Sequence, residues 1–234
     1  MPNLAKDYFK GLFHLFFPHV CASCSNVMAK DEEVLCLVCE HSLPETKFHT
    51  ISENPIEKRF WGRVSIENAS SFLFFEKGSR TQHLMQLLKY QGRQDVGQKL
   101  GALYAQKLKN DLSPLVKVDA VIPTPLHPKK QQKRGYNQCD SIAEAISKSW
   151  NIEVYKEAVV RNKDNITQTG KSRLDRWDNV AEIFSVKKPE LIENKHLLVI
   201  DDVITTGSTL EALTTQILKV PNTKVSVLTL ACAV

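Results

Sequence analysis

Residues 199–210, VIDDVITTGSTL, restrict the fold more than any other part of this 234-residue chain. An apolar run over residues 197–200 ends on two adjacent carboxylates, Asp201 and Asp202. A hydroxyl-rich loop follows (Thr205, Thr206, Gly207, Ser208, Thr209), and a segment with helical spacing comes after it. An apolar run this short, bounded by turn residues, reads as a buried strand, and the next segment reads as a helix. The acids and hydroxyls then sit at the carboxyl end of a strand, where open parallel sheets bind ligands.

The rest of the chain supports that architecture. Residues 71–75, 118–122, 154–160, 196–201 and 225–232 read as strands. Residues 81–90, 96–108, 138–150 and 209–218 read as helices from their 3–4-residue apolar spacing. Strands alternating with helices from residue 118 onward predict a parallel sheet covered on both faces. Residues 45–60, with Pro55 among polar neighbours, read as a connector. The expected division is 1–50 for a small N-terminal module and 51–234 for the α/β domain.

Hydrophobic residues make up 42% of the chain and charged residues 24%, the balance of a soluble globular protein. Residues 12–20 are apolar-rich but interrupted by His14, Pro18 and His19, too short to span a membrane. They are expected to dock on core surface, and the protein is expected in the cytoplasm. Residues 1–50 hold four lysines against six carboxylates, a net −2, so the remainder carries +7 of the total +5. An anionic partner should therefore meet the C-terminal part first.

Cys21 and Cys24 form one C-x-x-C pair, and Cys36 and Cys39 another, with eleven residues between the pairs. Four thiolates at that spacing suit tetrahedral zinc, and with no open coordination position such a site is structural. Paired disulfides are the alternative, disfavoured in a reducing compartment. Cys139 and Cys232 are isolated among apolar residues and read as core thiols.

At the strand end, backbone N–H groups and hydroxyls at a helix N-terminus bind phosphate, and Gly207 permits close approach. Asp201 and Asp202 can accept hydrogen bonds from a vicinal diol or position hydrated Mg²⁺. Phosphate at one end and diol acceptors at the other describe a ribose 5-phosphate. The plain alternative is a strand end followed by a Thr/Ser-capped helix. The run closely resembles the 5-phosphoribosyl 1-pyrophosphate (PRPP) signature of type I phosphoribosyltransferases. The resemblance implies that Asp201 and Asp202 hold the ribose hydroxyls and that residues 205–209 wrap the 5-phosphate.

Residues 121–138, VIPTPLHPKKQQKRGYNQ, carry Lys129, Lys130, Lys133 and Arg134, with no acid from residue 120 to 139. They read either as a solvated basic loop or as a second anion site, for the pyrophosphate of PRPP or for DNA phosphates. His127 has no supported proton-transfer role. Lys89 and Tyr90 end the first predicted helix, where Tyr90 is expected to pack. Residues 161–179 read as a mixed-charge loop or as a lid, with Gln168, Arg176 and Asn179 as its candidates.

The four cysteines, Leu88-Lys89-Tyr90, the basic segment, Gln168 with Arg176 and Asn179-Val180, and the VIDDVITTGST run together resemble the ComF family, from about residue 18 onward. That resemblance implies an N-terminal zinc finger on a type I phosphoribosyltransferase-like domain and a link to DNA uptake in natural transformation. Three functions are expected from it. The first is a PRPP-binding protein handling imported single-stranded DNA in the cytoplasm. The second is a phosphoribosyltransferase acting on a nucleobase or other small nucleophile. The third is a PRPP sensor or adaptor for a competence helicase or recombination protein. Zinc would be structural, and Mg²⁺ would accompany PRPP.

Overall fold

A computed structural model describes residues 18–163 and 183–233. Five strands form one sheet: β1 (Ala69–Phe75), β2 (Ala120–Pro123), β3 (Glu153–Val154), β6 (His196–Ile204) and β7 (Lys224–Ala233). Their order is β1-β7-β6-β2-β3, and every neighbouring pair is parallel. A separate antiparallel pair joins β4 (Val159–Arg161) to β5 (Phe184–Val186). The helices are α1 (Leu37–His41), α2 (Pro55–Lys58), α3 (Arg80–Tyr90), α4 (Gln94–Asn110), α5 (Pro128–Arg134), α6 (Gln138–Trp150) and α7 (Ser208–Ile217).

Residues 197–200 of β6 are apolar throughout because both faces of the sheet are covered there. Leu198 and Ile200 join a core with Leu84, Leu88, Leu100, Ile142 and Ile146 of α3, α4 and α6. Leu197 and Val199 point the other way, to Leu210, Leu213 and Ile217 of α7. Each fully buried aliphatic side chain contributes roughly 1.5–3 kcal/mol of transfer free energy. α4 lies close on α6 because Gly97 has no side chain; a Cβ there would stand 2.2 Å from Ser141 Oγ.

The cysteine segment shares the first of these cores. Cys21, Ala22, Val34, Leu35 and Cys39 are buried in the same cluster as Leu73 and Leu84. Ion pairs Lys99–Glu40 (2.7 Å) and Lys107–Glu45 (3.0 Å) tie it to α4.

Several expectations need correction. Residues 45–60, expected as a connector, carry ordered structure of their own. The Thr46 amide donates to the Phe72 carbonyl (2.9 Å) and the Phe74 amide to the Pro44 carbonyl (2.9 Å), so the segment covers the β1 edge. Asn54 caps α2 through a reciprocal box with Glu57, and Ile56 and Phe60 are fully buried. The strand expected at 154–160 is interrupted: the Tyr155 amide still donates to Val121 at 2.9 Å, but the chain then turns and leaves the sheet for the β4–β5 pair. β6 continues past Asp201 to Ile204, because its ladder with β7 continues through Ile204 opposite Cys232. The basic loop contains α5. Among the described residues, no helix is long and apolar enough to cross a membrane.

Candidate functional site

β6 lies between β7 and β2, so its carboxyl end is central. Asp201 and Asp202 sit there, 9% and 4% exposed. Asp201 Oδ1 accepts from the Asp202 amide at 2.9 Å, and Asp202 Oδ1 accepts from the Val203 amide at 2.7 Å. Two side chains from elsewhere complete the cluster. Lys89 Nζ, near the end of α3, is 2.9 Å from Asp202 Oδ2. Cys139 Sγ, in the first turn of α6, donates to Asp201 Oδ1 at 3.4 Å. Cys139 is buried as expected of a core thiol, but it lies against the acidic pair.

Burial and the neighbouring Asp202 charge push the Asp201 carboxyl up to about 7. Burial disfavours the Lys89 ammonium, yet the Asp202 carboxylate outweighs it and raises the Lys89 pKa. Burial and then the two carboxylates push the Cys139 thiol well above its ordinary value. The cluster thus holds Lys89 and Asp202 as an ion pair, with Asp201 poised between charge states. Asp201 also ties stability to pH. Folded, it keeps its proton to about 7, whereas an unfolded aspartate ionises near 3.8. Between these values the native chain binds more protons, so stability falls as pH rises from about 4 to about 7. The Asp201→Asn variant is expected to lack that decline, a difference of a few kcal/mol at about 1.4 kcal/mol per pH unit. Urea midpoints of both proteins across that range check it; parallel profiles would refute it.

The loop after β6 turns through Gly207, whose φ of +81° places it in the left-handed region as the residue preceding α7. Thr205 and Thr206 are exposed, and the Thr206 and Ser208 hydroxyls are 3.0 Å apart. Two arginines after α2 hold the loop from behind. Arg59 donates to the carbonyls of Thr205, Ile204 (3.3 Å) and Ala233 (2.6 Å). Arg63 donates to the Thr206 carbonyl at 3.0 Å and pairs with Glu211. Sequence reasoning missed both arginines; they lie more than 140 residues from the loop they brace.

β2 pairs with β6, so the basic segment leaves the neighbouring strand end, and the Thr124 amide donates to Ile200 at 2.8 Å. Pro128 opens α5, His127 Nδ1 accepts from the Lys129 amide at 3.2 Å, and Gly135 closes the helix. His127 is therefore a cap. Lys129, Lys130 and Lys133 are exposed, and Arg134 is half-buried. The structure brings this segment against the end of α3. The Arg134 guanidinium lies 5.5 Å from the Tyr90 ring centroid, and the Tyr136 hydroxyl donates to the Leu88 carbonyl. Tyr90 is 74% exposed, against the expectation that it packs. Gln168, Arg176 and Asn179 lie outside the described residues.

The four sulfurs of Cys21, Cys24, Cys36 and Cys39 lie within 4.8 Å of one another, with Cys24 and Cys36 at 3.8 Å. A tetrahedron with Zn–S of about 2.3 Å has edges of about 3.8 Å, so the set fits zinc. The Cys36 and Ser23 amides donate to Cys21 Sγ at 3.3 and 3.4 Å. Burial opposes the Cys21 thiolate, but these amides prevail and bring its pKa to about 7. Burial and the other thiols push Cys39 up to about 12. Four thiols this close cannot all ionise without a cation among them. Arg80, the first residue of α3, places Nη1 3.8 Å from Cys39 Sγ.

No family model matches the chain. Competence protein F of Haemophilus influenzae is 42% identical over 94 residues, covering 39% of this chain and 41% of that protein. This chain therefore spans about two fifths of that relative. DNA utilization protein YhgH of Escherichia coli K12 is 27% identical over 194 residues, covering 81% of this chain and 80% of that protein. Similar solved structures include glutamine PRPP amidotransferase from B. subtilis, with a TM-score of 0.42 and 21% identity over 61% of this chain and 30% of that one. Adenine phosphoribosyl transferase from Trypanosoma brucei gives 0.37 and 12%, covering 78% and 81%. The parallel sheet with flanking helices and the N-terminal four-cysteine cluster agree with the expected fold class. The chain is thus similar to competence protein F of Haemophilus influenzae and to the YhgH DNA utilization proteins.

Proposed function

We propose that the chain binds PRPP with Mg²⁺ at the carboxyl end of β6 and works in the cytoplasm on imported single-stranded DNA. The observation that carries this reading is the union, on one strand end, of a buried acidic pair with an exposed hydroxyl loop at a helix start. Asp201 and Asp202 would accept from the ribose hydroxyls, and Thr205, Thr206, Gly207, Ser208 and Thr209 would surround the 5-phosphate. Bound Mg²⁺ would offset charge on the pyrophosphate. The cations Lys129, Lys130, Lys133 and Arg134, on the adjacent strand end, would meet that pyrophosphate or DNA phosphates.

Lys89 gives this reading a specific consequence. In the free protein its ammonium already neutralises Asp202, so a ligand hydroxyl or hydrated cation must share or displace it. The names of the relatives, competence protein F and DNA utilization protein, favour a role with DNA. The same names favour no particular acceptor for a transfer reaction. Zinc at the four cysteines would be structural, since all four ligands come from the chain.

Calorimetric titration with PRPP in the presence of Mg²⁺, beside ribose 5-phosphate and pyrophosphate alone, tests the site. Binding of PRPP tighter than either fragment is expected. Equal affinity for pyrophosphate and PRPP would leave the ribose site without support.

A further inference from the structure

Tyr90 is the last residue of α3, and most of its ring faces solvent. Its surroundings hold it in place. The Leu88 carbonyl is tied down by Tyr136, Lys89 is tied down by Asp202, and the Arg134 guanidinium lies over the Tyr90 ring. Arg134 is itself oriented by a hydrogen bond to Gln138. An exposed aromatic at the end of a helix is ordinarily free to swing; here the backbone beneath it and the cation beside it are fixed. The guanidinium is attracted by the ring quadrupole, and the rest of the ring stays open.

α5 supplies the second half of the surface. Lys129 and Lys133 are four apart on a helix, about 6 Å from one another on one face. Along the acid-free segment from 120 to 139 nothing offsets them. Asp140, the first acid after this segment, is engaged with Asn137. A ring that stacks, a guanidinium that stacks and a row of ammonium groups match the parts of one ligand class. That class is single-stranded nucleic acid, whose bases offer open π-faces and whose phosphates follow one another along the backbone. A duplex hides those faces.

The geometry points to Tyr90 and Arg134 as a stacking platform for an unstacked base of single-stranded nucleic acid whose phosphates run along Lys129 and Lys133 of α5. This rests on the DNA half of the proposed function and adds how the base is held. The platform adjoins the acidic pair through Lys89, so strand and sugar phosphate would meet at one strand-end surface.

Fluorescence anisotropy of labelled oligo(dT)15, measured at several salt concentrations, tests it. Tyr90→Ala is expected to weaken binding about tenfold, the effect of losing one stacked base, with the salt slope unchanged. Tyr90→Phe keeps the π-face and should stay within about twofold. Lys129→Gln with Lys133→Gln should weaken binding and lower the slope by about 0.7 for each phosphate that is no longer neutralised. Duplex DNA and dTMP should compete poorly. If Tyr90→Ala binds as wild type while the lysine variant weakens, the platform is overturned and the DNA reading stands. If wild type binds no oligonucleotide, both fall. If dTMP competes as well as the strand, the site takes a nucleotide and the strand proposal is overturned.

Discussion

Replacing Cys36 and Cys39 together by serine is expected to remove one zinc per chain and lower the thermal midpoint by about 6–12 °C. The size follows from where the cysteines sit. They do not form a detachable bead, because Cys21, Ala22, Val34, Leu35 and Cys39 are buried in the core that also holds Leu73, Leu84 and Leu88. Structural zinc in small peptides contributes about 10–16 kcal/mol of folding free energy. Within a larger chain the loss is limited to the segment that opens, here the module and the face of α3 and α4 it covers. Losing about 3 kcal/mol at roughly 2–4 °C per kcal/mol gives the expected shift. The Lys99–Glu40 pair and the approach of Arg80 to Cys39 would go with it. Metal analysis and thermal unfolding measure both quantities. Cys232→Ser is the control: Cys232 is as buried as Cys39 but is not part of the cluster, so the variant should keep its zinc. A double variant that keeps its metal, or loses it without a change in midpoint, would exclude a structural zinc site.

Much of this architecture was legible because its signals are local. The apolar run at 197–200 and the helical spacing at 81–90, 96–108 and 138–150 each depend on neighbours a few residues away. β6, α3, α4 and α6 follow them closely. α5 was also written locally, with His127 at the cap, Pro128 at the first position and Gly135 at the end. The density of charge hid those signals behind the look of a loop. Asn54-Pro55 and Glu57 likewise spell a capping box that the polar texture of 45–60 masked.

The site was legible only in part, and the missing part is tertiary. Asp201, Asp202 and the hydroxyl loop are consecutive, so their nearness needs no fold. Lys89 and Cys139 come to Asp202 and Asp201 from α3 and α6, and no spacing rule links them. Arg59 and Arg63 reach the hydroxyl loop from α2's C-terminal end by the same route of packing. Asp201 and Asp202 also continue a strand in which acids are ordinarily depleted. The β7 ladder and the Lys89 charge offset that cost.

Asp201→Asn combined with Asp202→Asn is expected to weaken PRPP binding at least a hundredfold while leaving the chain folded. Asparagine keeps the shape and the acceptor oxygen of each side chain, so the amides of Asp202 and Val203 retain their partners. What is lost, above pH 7 where Asp201 is ionised as well, is the charge and the second acceptor oxygen of each group. Hydrogen bonds to charged groups are worth about 1.5–3 kcal/mol each, and two of them to a diol give roughly 3–6 kcal/mol, a hundredfold or more. Stability is subject to two opposing changes. Asp201 no longer has to ionise in a buried place, and Lys89 loses its counter-charge. The single variants separate the two: Asp202→Asn leaves Lys89 facing Asp201, which its charge then holds ionised more firmly. The hydroxyl loop and the cations of α5 are untouched, so inorganic phosphate or pyrophosphate alone should bind nearly as in wild type. Calorimetry with PRPP and Mg²⁺, run beside pyrophosphate and a thermal melt, reads all three. A double variant that binds PRPP within fivefold of wild type would place the sugar somewhere other than the end of β6.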